Sequence, residues 1–235
     1  MTTKAILLDC GGVLVKPTTG DWALGPGYET ILGESFASTH LDAFRTARSG
    51  LVSMLPDANV VVTDEEEYAM FIPLYEKLFD AIGISLPREA LEQLAWQQVY
   101  HDGRYILFDD VLPMLEAWQK TYKLGIVSDA PPSTRRIMDR MGVSQYIGGA
   151  TYSCNIGVLK PNPAIYQRTL DLLGVSAGEA IFVDDIPGNL HGAQALGIRA
   201  IQMRRPMPPL FPQAPAWDGP IVHNFAELDA LLPTL

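Results

Sequence analysis

The feature that most constrains the fold of this chain is a repeated alternation between short apolar runs and segments with helical periodicity. The apolar runs cover residues 5–8, 124–127, 150–152, 180–183 and 199–203. Segments 133–141 and 189–196, which follow two of these runs, carry apolar residues at helical spacing. This alternation is typical of a mainly parallel sheet connected by crossover helices, so it predicts an α/β fold.

Residues 18–104 have a different character, because strand-like runs almost disappear and helical periodicity dominates. Thr63 and Glu66 have the spacing of a capping box, and an apolar face follows them as far as Ile82. Pro73 is expected to kink or divide that helix. A second helix is predicted over 88–100. The segment therefore reads as a helical insert whose aromatic and leucine residues form its own core.

The region 204–220 contains six prolines, which exclude a regular helix or a central strand. We predict an extended surface loop here, with a docking peptide for a partner domain as the alternative. A short amphipathic pattern follows over 225–232.

Charge and cysteine content narrow the possible partners and the compartment. The 17 basic and 27 acidic residues give a net charge of −10, which argues against nucleic acid or an anionic membrane as the main partner. The two cysteines, Cys10 and Cys154, form no disulfide framework or metal-ligand pattern. No run is long enough for a signal peptide or a membrane helix. We expect a soluble protein of the cytoplasm.

Polar residues stand at the ends of three predicted strands. Asp9, Ser128, and the pair Asp184 and Asp185 each follow or end an apolar run. In open α/β sheets ligands bind beyond the carboxyl ends of the strands, so these residues should gather at one edge although they are far apart in sequence. The pattern predicts one site built from separate segments.

With these residues in place, the sequence resembles the haloacid dehalogenase-like (HAD) hydrolase superfamily, which consists largely of phosphohydrolases. Four motifs carry the resemblance, in order along the whole chain: Asp9 with Val13 and Leu14, Ser128 after "LGIV", Lys160 in "VLKPNPAIY", and Asp184-Asp185 in "IFVDDIPGN". The resemblance implies a Rossmann-like three-layer core of residues 1–17 and 105–235. It also implies a helical cap domain of residues 18–104, inserted between the first and second motifs.

The resemblance implies a catalytic role for three of these residues. Asp9 would attack phosphorus and form an aspartyl-phosphate, which divides the displacement into two steps. Ser128 would donate a hydrogen bond to a phosphate oxygen, and Lys160 would neutralise developing charge.

A Mg²⁺ cofactor is implied as well, held by Asp9, Asp184, Asp185 and the backbone carbonyl of Gly11. Elementary electrostatics supports this, because neighbouring carboxylates repel each other and a phosphate dianion unless a cation is present.

Two positions depart from the family pattern. Most phosphatases of the family carry a second aspartate as general acid and base where this chain has Gly11, and its loss should slow turnover by about 10²- to 10⁴-fold. Acidic leaving groups, such as a sugar anomeric oxygen or an acyl oxygen, need that acid least. The second departure is Asp129, where relatives often have asparagine. We hypothesise that Asp129 or Asp102 supplies the proton instead.

Each of the remaining candidates also has a purely structural explanation. Asn189 either orients a metal ligand or bound water, or is the N-cap of the next helix. Arg45 and Arg48, one helical turn apart, and His101 with Arg104 are candidates for binding an anionic substrate group. Their alternative is solvated surface charge.

Three functions are consistent with the sequence. The first is a Mg²⁺-dependent phosphomonoesterase of a small phosphorylated metabolite, acting as a monomer or homodimer through Asp9. The second is a catalytically weak relative that binds a phosphorylated ligand. The third is a 2-haloacid dehalogenase, whose chemistry needs no metal, and which the Asp184-Asp185 pair therefore disfavours.

Overall fold

A computed structural model describes residues 2–51, 61–207 and 216–234 of the chain, and two groups of strands are present in them. The strands are β1 Ala5–Leu8, β2 Val15–Pro17, β3 Tyr105–Leu107, β4 Lys123–Ser128, β5 Gly149–Tyr152, β6 Ala180–Asp184, β7 Arg199–Met203 and β8 Ile221–Val222. Strands β5-β4-β1-β6-β7-β8, in that order, form one sheet in which every neighbouring pair is parallel. The predicted parallel α/β fold is confirmed.

Helices separate and follow these strands. They are α1 Tyr28–Leu32, α2 Phe36–Thr39, α3 Leu41–Leu51, α4 Asp64–Ala81, α5 Arg88–Tyr100, α6 Val111–Trp118, α7 Ser133–Arg140, α8 Ser153–Ile156, α9 Pro163–Leu173, α10 Pro187–Ala195 and α11 Phe225–Leu231. The first five lie between β2 and β3, and the others connect or follow the strands of the parallel sheet.

Both faces of the sheet are covered, which gives the predicted three layers. Strand β1 shows this directly, because side chains alternate between the faces of a strand. Ile6 and Leu8 pack in a buried cluster with residues of α6, α7 and α11. Ala5 and Leu7 pack on the opposite face in a cluster with residues of α9 and α10. The continuous apolar run of β1 is therefore explained by burial on both sides.

The helical insert has a separate apolar cluster. It combines aromatic and aliphatic side chains of α2 to α5, among them Phe36, Phe44, Phe79 and Leu94. The Phe44 and Phe79 rings lie 5.2 Å apart. The insert leaves and rejoins the core through the antiparallel pair β2 and β3. The domain boundaries at 17/18 and 104/105 stay a prediction.

The predicted capping box at the start of α4 is confirmed, since the Thr63 side chain accepts the Glu66 N–H and the Glu66 side chain accepts the Thr63 N–H. Pro73 does not divide the helix, which runs unbroken from Asp64 to Ala81. Pro73 and Ala69, whose carbonyl loses its partner, are both exposed. Water can satisfy that carbonyl, so the proline is tolerated.

Other local predictions differ only at their edges. The helix predicted over 189–196 begins two residues earlier, because Pro187 occupies its first turn, where the fixed φ of proline favours helix initiation. The parts of the 204–220 loop that the structure describes contain no helix or strand, and 208–215 lie outside the described residues. Cys10 and Cys154 are both free and buried. Within the described ranges, no helix combines the length and the apolar character of a transmembrane span.

Candidate active site

The ends of three adjacent strands bring the predicted acidic residues together. Strand β1 lies between β4 and β6, so Asp9, immediately after β1, has Ser128 at the end of β4 on one side. Asp184 ends β6 on the other side, and Asp185 follows it. Residues more than 100 positions apart in sequence thus meet at one sheet edge, as the strand pattern predicted.

Lys160 reaches this edge from the loop before α9. Its Nζ donates to Asp9 Oδ1 at 2.8 Å, to Asp184 Oδ2 at 2.7 Å and to the Val127 carbonyl at 3.3 Å. The Lys160 side chain is only 1% exposed and that of Asp184 is fully buried, so these are desolvated, charge-assisted hydrogen bonds. The lysine therefore holds two carboxylates from different strands in fixed positions.

Burial and mutual repulsion perturb the acids of the cluster. Burial raises the pKa of Asp9 to about 6, against the opposing effect of Lys160, and the nearby Asp184 carboxylate adds to the rise. Burial, together with Asp184 and Asp9, raises the pKa of Asp185 well above its ordinary value. Burial alone would lower the pKa of Lys160, but the carboxylates of Asp184 and Asp9 hold it well above its usual range. The lysine is therefore charged at neutral pH.

Asp184 is the most constrained member of the cluster. Its Oδ1 accepts the Ile186 N–H at 2.7 Å, and its Oδ2 accepts from Asn189 Nδ2 at 3.0 Å as well as from Lys160. Asn189 is not the N-cap of α10, because the helix begins at Pro187 and Ile186 is the capping residue. Of the two alternatives given for Asn189, its contact with Asp184 thus matches an orienting role, which stays a prediction.

The donor set fits a divalent, oxygen-preferring cation. One oxygen from each of Asp9, Asp184 and Asp185 lies within 4.8 Å of the others. These three carboxylates outnumber the single ammonium group of Lys160, and their mutual repulsion adds to the effect of burial in raising the pKa values of Asp9 and Asp185. Mg²⁺ prefers carboxylate ligands, and one such ion would bring the formal charge of the cluster to zero.

Trp22 covers the first loop of the site. A Cβ placed on Gly11 would lie 3.2 Å from Trp22 Cη2, and the nearest other atoms also belong to that indole ring. Gly12, the next residue, has φ +71° and faces the Asp185 carboxylate, which would lie 2.6 Å from an added Cβ. The two glycines therefore allow the loop to pass between an aromatic ring and a carboxylate.

A model of the haloacid dehalogenase-like hydrolase family matches residues 3–197. The chain belongs to this family of hydrolases. The resemblance stated from the four motifs is thereby confirmed.

Relatives of this hydrolase include named phosphatases. It is 28% identical over 188 residues to enolase-phosphatase E1 of Gluconacetobacter diazotrophicus, a match that covers 72% of this chain and 78% of the relative. It is 40% identical over 100 residues to the bovine phospholysine phosphohistidine inorganic pyrophosphate phosphatase (Bos taurus), covering 39% of this chain and 36% of the relative.

Solved structures show the same architecture. The 2-haloacid dehalogenase of Pseudomonas syringae pv. Tomato DC3000 superposes with a TM-score of 0.62 at 25% identity, over 99% of each chain. The magnesium-bound HAD-hydrolase YfnB of Bacillus subtilis superposes with a TM-score of 0.70 at 15% identity, over 99% of this chain and 100% of its own.

The two acids considered as substitute proton donors lie in different environments. Asp129 accepts the Lys160 backbone N–H at 2.8 Å, and its side chain is exposed. Partial desolvation by the surrounding residues nevertheless raises the pKa of Asp129, against the opposing effect of Lys160. Asp102 forms ion pairs with Arg136 and Arg140. Each carboxylate oxygen of Asp102 is thus engaged by an arginine, and a role as proton donor stays a hypothesis.

The four candidate substrate-binding residues of the cap make contacts within the hydrolase itself. Arg45 and Arg48 both pair with the buried Asp21, at 3.1 and 2.6 Å. Their proposed role in binding an anionic substrate stays a prediction. The structure adds a neutralising partner that the sequence did not indicate.

Arg104 and His101 close the end of α5. Arg104 is 2% exposed, donates to Ser133 Oγ at 2.9 Å and lies 3.8 Å from Glu67 Oε1. His101 Nδ1 accepts the Gly103 N–H at 3.1 Å. These contacts stabilise the return from cap to core, and substrate binding by either residue stays a prediction.

Sequence reasoning did not single out Trp22, Gly12 or the buried Glu67. The only sequence signal for Trp22 is its place shortly after the first motif, where the chain enters the cap. Gly12 adjoins a motif residue, but its contact with Asp185 joins segments far apart in sequence. Such contacts become visible only when the fold is known.

Proposed function

We propose that this hydrolase is a Mg²⁺-dependent phosphomonoesterase that acts on a small phosphorylated metabolite through an aspartyl-phosphate at Asp9. The observation that carries the proposal is the cluster of Asp9, Asp184 and half-buried Asp185, in which Lys160 joins Asp9 to Asp184. A cluster with this excess of carboxylates needs a cation, and with the cation it can accept a phosphate dianion.

The residues of the site contribute to the reaction through their positions. An Asp9 carboxylate oxygen attacks phosphorus, the bond from phosphorus to the leaving oxygen breaks, and an acyl phosphate forms on Asp9. Water then attacks that phosphorus and releases phosphate together with the free carboxylate. Lys160 holds Asp9 through Oδ1 and stabilises charge on the transferring group. Mg²⁺, when bound by the three aspartates and the Gly11 carbonyl, would neutralise the attacking and transferring groups.

Ser128 has a separate role in this scheme. It is buried beside Asp9, and its hydroxyl acts to lower the pKa of that carboxyl against the larger effect of burial. With substrate bound, the same hydroxyl can donate to a phosphate oxygen. Asn189 fixes Asp184 and so supports the metal site from behind.

The named relatives support a phosphorylated substrate. The enolase-phosphatase and the phospholysine phosphohistidine inorganic pyrophosphate phosphatase are both named for removing phosphate. We propose a small metabolite as substrate, no nucleic-acid or membrane partner, a cytoplasmic location, and a monomeric or homodimeric state.

Phosphate release from a panel of phosphorylated metabolites tests the proposal. Wild-type protein should release phosphate with Mg²⁺ and not with chelator. Asp9→Asn should lose at least about 10³-fold in rate, because it removes the nucleophile. Asp80→Asn, an exposed acid on the cap, is the matched control and should behave as wild type. Activity that survives in Asp9→Asn would exclude the proposed intermediate.

A 2-haloacid dehalogenase is the second candidate. It is favoured by Gly11, since a dehalogenase needs no acid at that position, and by the fold shared with the dehalogenase of Pseudomonas syringae. Halide release from a 2-haloacid, unaffected by chelator, would support it. The acidic cluster argues against it, because three repelling carboxylates serve no purpose in a metal-free reaction.

The third candidate is a protein that binds a phosphorylated ligand and catalyses weakly. Gly11 supports it too, because the usual general acid is absent from that position. Inactivity towards every phosphorylated compound and every haloacid, together with measurable Mg²⁺ binding, would favour that reading over both enzymes.

A further inference from the structure

The Trp22 ring occupies the space into which a side chain on residue 11 would extend. Gly11 does not have a positive φ, so its backbone conformation is open to other residues. The three atoms nearest to an added Cβ are Cη2, Cζ3 and Cζ2 of Trp22, at 3.2, 3.6 and 3.7 Å. These atoms form the six-membered end of the indole. A side chain on residue 11 would therefore compete with this ring for the same space.

Several contacts hold Trp22 in place. The ring meets Tyr105 edge to face, with centroids 5.5 Å apart, and the Trp22 carbonyl accepts from Gln98 Nε2 at 3.0 Å. Next to it, buried Asp21 accepts the Ala23 N–H at 2.9 Å and pairs with two arginines. The segment that carries the indole is thus anchored on both sides. Trp22 itself is half-buried.

Residue 11 itself carries no acid, and the space next to it is occupied by the Trp22 ring. Three acids outside the metal cluster have partners of their own: Asp102 pairs with two arginines, Glu67 accepts from Ser133, and one oxygen of Asp129 accepts the Lys160 N–H. A leaving group next to Gly11 therefore meets an aromatic surface instead of a proton donor. Departure without protonation is fast only for groups that are stable as anions.

We propose that Trp22 replaces the general acid with an aromatic wall and so selects phosphorylated substrates whose leaving group is planar and acidic, such as a phenol, an enol or a carboxylate. The inference rests on the proposed phosphomonoesterase activity and names its substrate class. In the first step the bond from phosphorus to oxygen breaks, its electron pair stays on the departing oxygen as a resonance-stabilised anion, and the phosphoryl group passes to Asp9.

A series of phosphate esters tests whether the enzyme lacks a general acid for the leaving group. Wild-type kcat/KM should fall steeply as the pKa of the leaving group rises, and simple alkyl phosphates should react at least about 10²-fold more slowly than acidic aryl or acyl phosphates. Rates for alkyl and aryl phosphates within tenfold of each other would overturn the inference, because they would reveal a working proton donor such as Asp129.

The coupling between positions 11 and 22 is tested by restoring the acid. Gly11→Asp alone should not increase the rate on alkyl phosphates, because the indole blocks the new carboxyl group. Gly11→Asp combined with Trp22→Gly should increase that rate about 10²-fold over Trp22→Gly alone. A gain in Gly11→Asp equal to that of the double variant would contradict the competition for space. Thermal unfolding of each variant shows whether it is folded.

Binding of inert analogues tests the aromatic wall without requiring turnover. Phenylphosphonate should bind wild type about 2- to 10-fold more tightly than methylphosphonate through ring contacts, and Trp22→Ala should abolish that preference. Trp96→Ala, which removes an exposed cap tryptophan, should retain it. An undiminished preference in Trp22→Ala would exclude Trp22 as the wall.

The two proposals fail in different ways. Absence of phosphate release from every ester, including acyl phosphates, would exclude the proposed function. Phosphate release that depends on Asp9 but is indifferent to the leaving group would leave that function standing and exclude the role of Trp22.

Discussion

Gly12 shows how a single missing side chain shapes the candidate metal site. Its φ of +71° and the 2.6 Å from an added Cβ to Asp185 Oδ2 mean that any larger residue strains the loop and displaces the carboxylate. Gly12→Ala should weaken Mg²⁺ binding by about 10- to 100-fold, as for other changes that misorient a ligand. Isothermal titration with Mg²⁺ measures this effect.

Gly20 provides the matched control for that variant. Its φ is +75°, but nothing lies within 4 Å of an added Cβ. Gly20→Ala should therefore carry the same conformational cost, about 1–2 kcal/mol in the free energy of unfolding, and leave Mg²⁺ affinity unchanged. Equal loss of Mg²⁺ affinity in both variants would show that loop strain, and not contact with Asp185, is responsible.

Among single residues, those at strand ends could be predicted from the sequence. Asp9, Ser128, Asp184 and Asp185 could be grouped because parallel strands present their carboxyl ends at one edge. The contact between Trp22 and Gly11 could not, because no local pattern relates the cap entrance to the first motif. The same applies to Asp21, which lies 24 and 27 residues from its arginine partners.

Asp110 links three elements of the core. It precedes α6, and its Oδ2 accepts from Arg205 Nη1 after β7 and from the Phe225 N–H at the start of α11, each at 2.7 Å. Burial would raise the pKa of Asp110, but these hydrogen bonds and the Arg205 charge hold it below its ordinary value. The ionised carboxylate is therefore the form that stabilises the fold.

The lowered pKa fixes the sign of a pH effect. Because the folded protein holds Asp110 ionised more strongly than the unfolded chain does, its stabilisation is present above the ordinary pKa of aspartate and is lost as pH falls through the lowered value. Asp110→Asn should lower the free energy of unfolding by about 1–3 kcal/mol near neutral pH. That difference from wild type should shrink in acid.

Urea unfolding of wild type and Asp110→Asn at a series of decreasing pH values checks this prediction. Asp109→Asn, an exposed neighbour, is the control and should differ little from wild type at any pH. A difference for Asp110→Asn that stays constant or grows in acid would contradict the ionised role.

Elements were predictable where the local signal was long enough. The five strands and the helices α4 and α5 emerged because apolar runs and helical faces persist over several residues. Strands β2 and β3 have three residues each and β8 has two, which is too few for a recognisable alternation. Pro73 does not divide α4, and propensity alone does not show that its side of the helix faces water.

The assembly of cap and core is a property of the whole molecule. Glu67 of α4 accepts the N–H and hydroxyl of Ser133 at the start of α7, 66 residues away. On the same helix, Arg136 pairs with Asp64 and Asp102 of the cap. Periodicity could predict an insert with its own core, but not these contacts, because they depend on how the finished units meet.

Cation binding should be visible in the stability of the whole molecule. Without metal, the excess carboxylates of the cluster destabilise the folded state, because the same groups are far apart and hydrated in the unfolded chain. A ligand that binds only the folded state adds about 2.7 kcal/mol at 100 times its dissociation constant. Mg²⁺ should therefore raise the melting temperature of wild type, while NaCl at equal ionic strength should not reproduce the rise.

Asp185→Asn separates cation binding at the cluster from general salt effects. Compared with wild type, the variant should be more stable without Mg²⁺ and less stable with it. Removing one repelling carboxylate should make the metal-free variant more stable than metal-free wild type, since the pKa of Asp185 is raised. The same change removes a ligand, so Mg²⁺ should raise its melting temperature much less. Thermal unfolding with chelator and with increasing Mg²⁺ measures both effects, and an equal Mg²⁺ response in the two proteins would place the cation elsewhere.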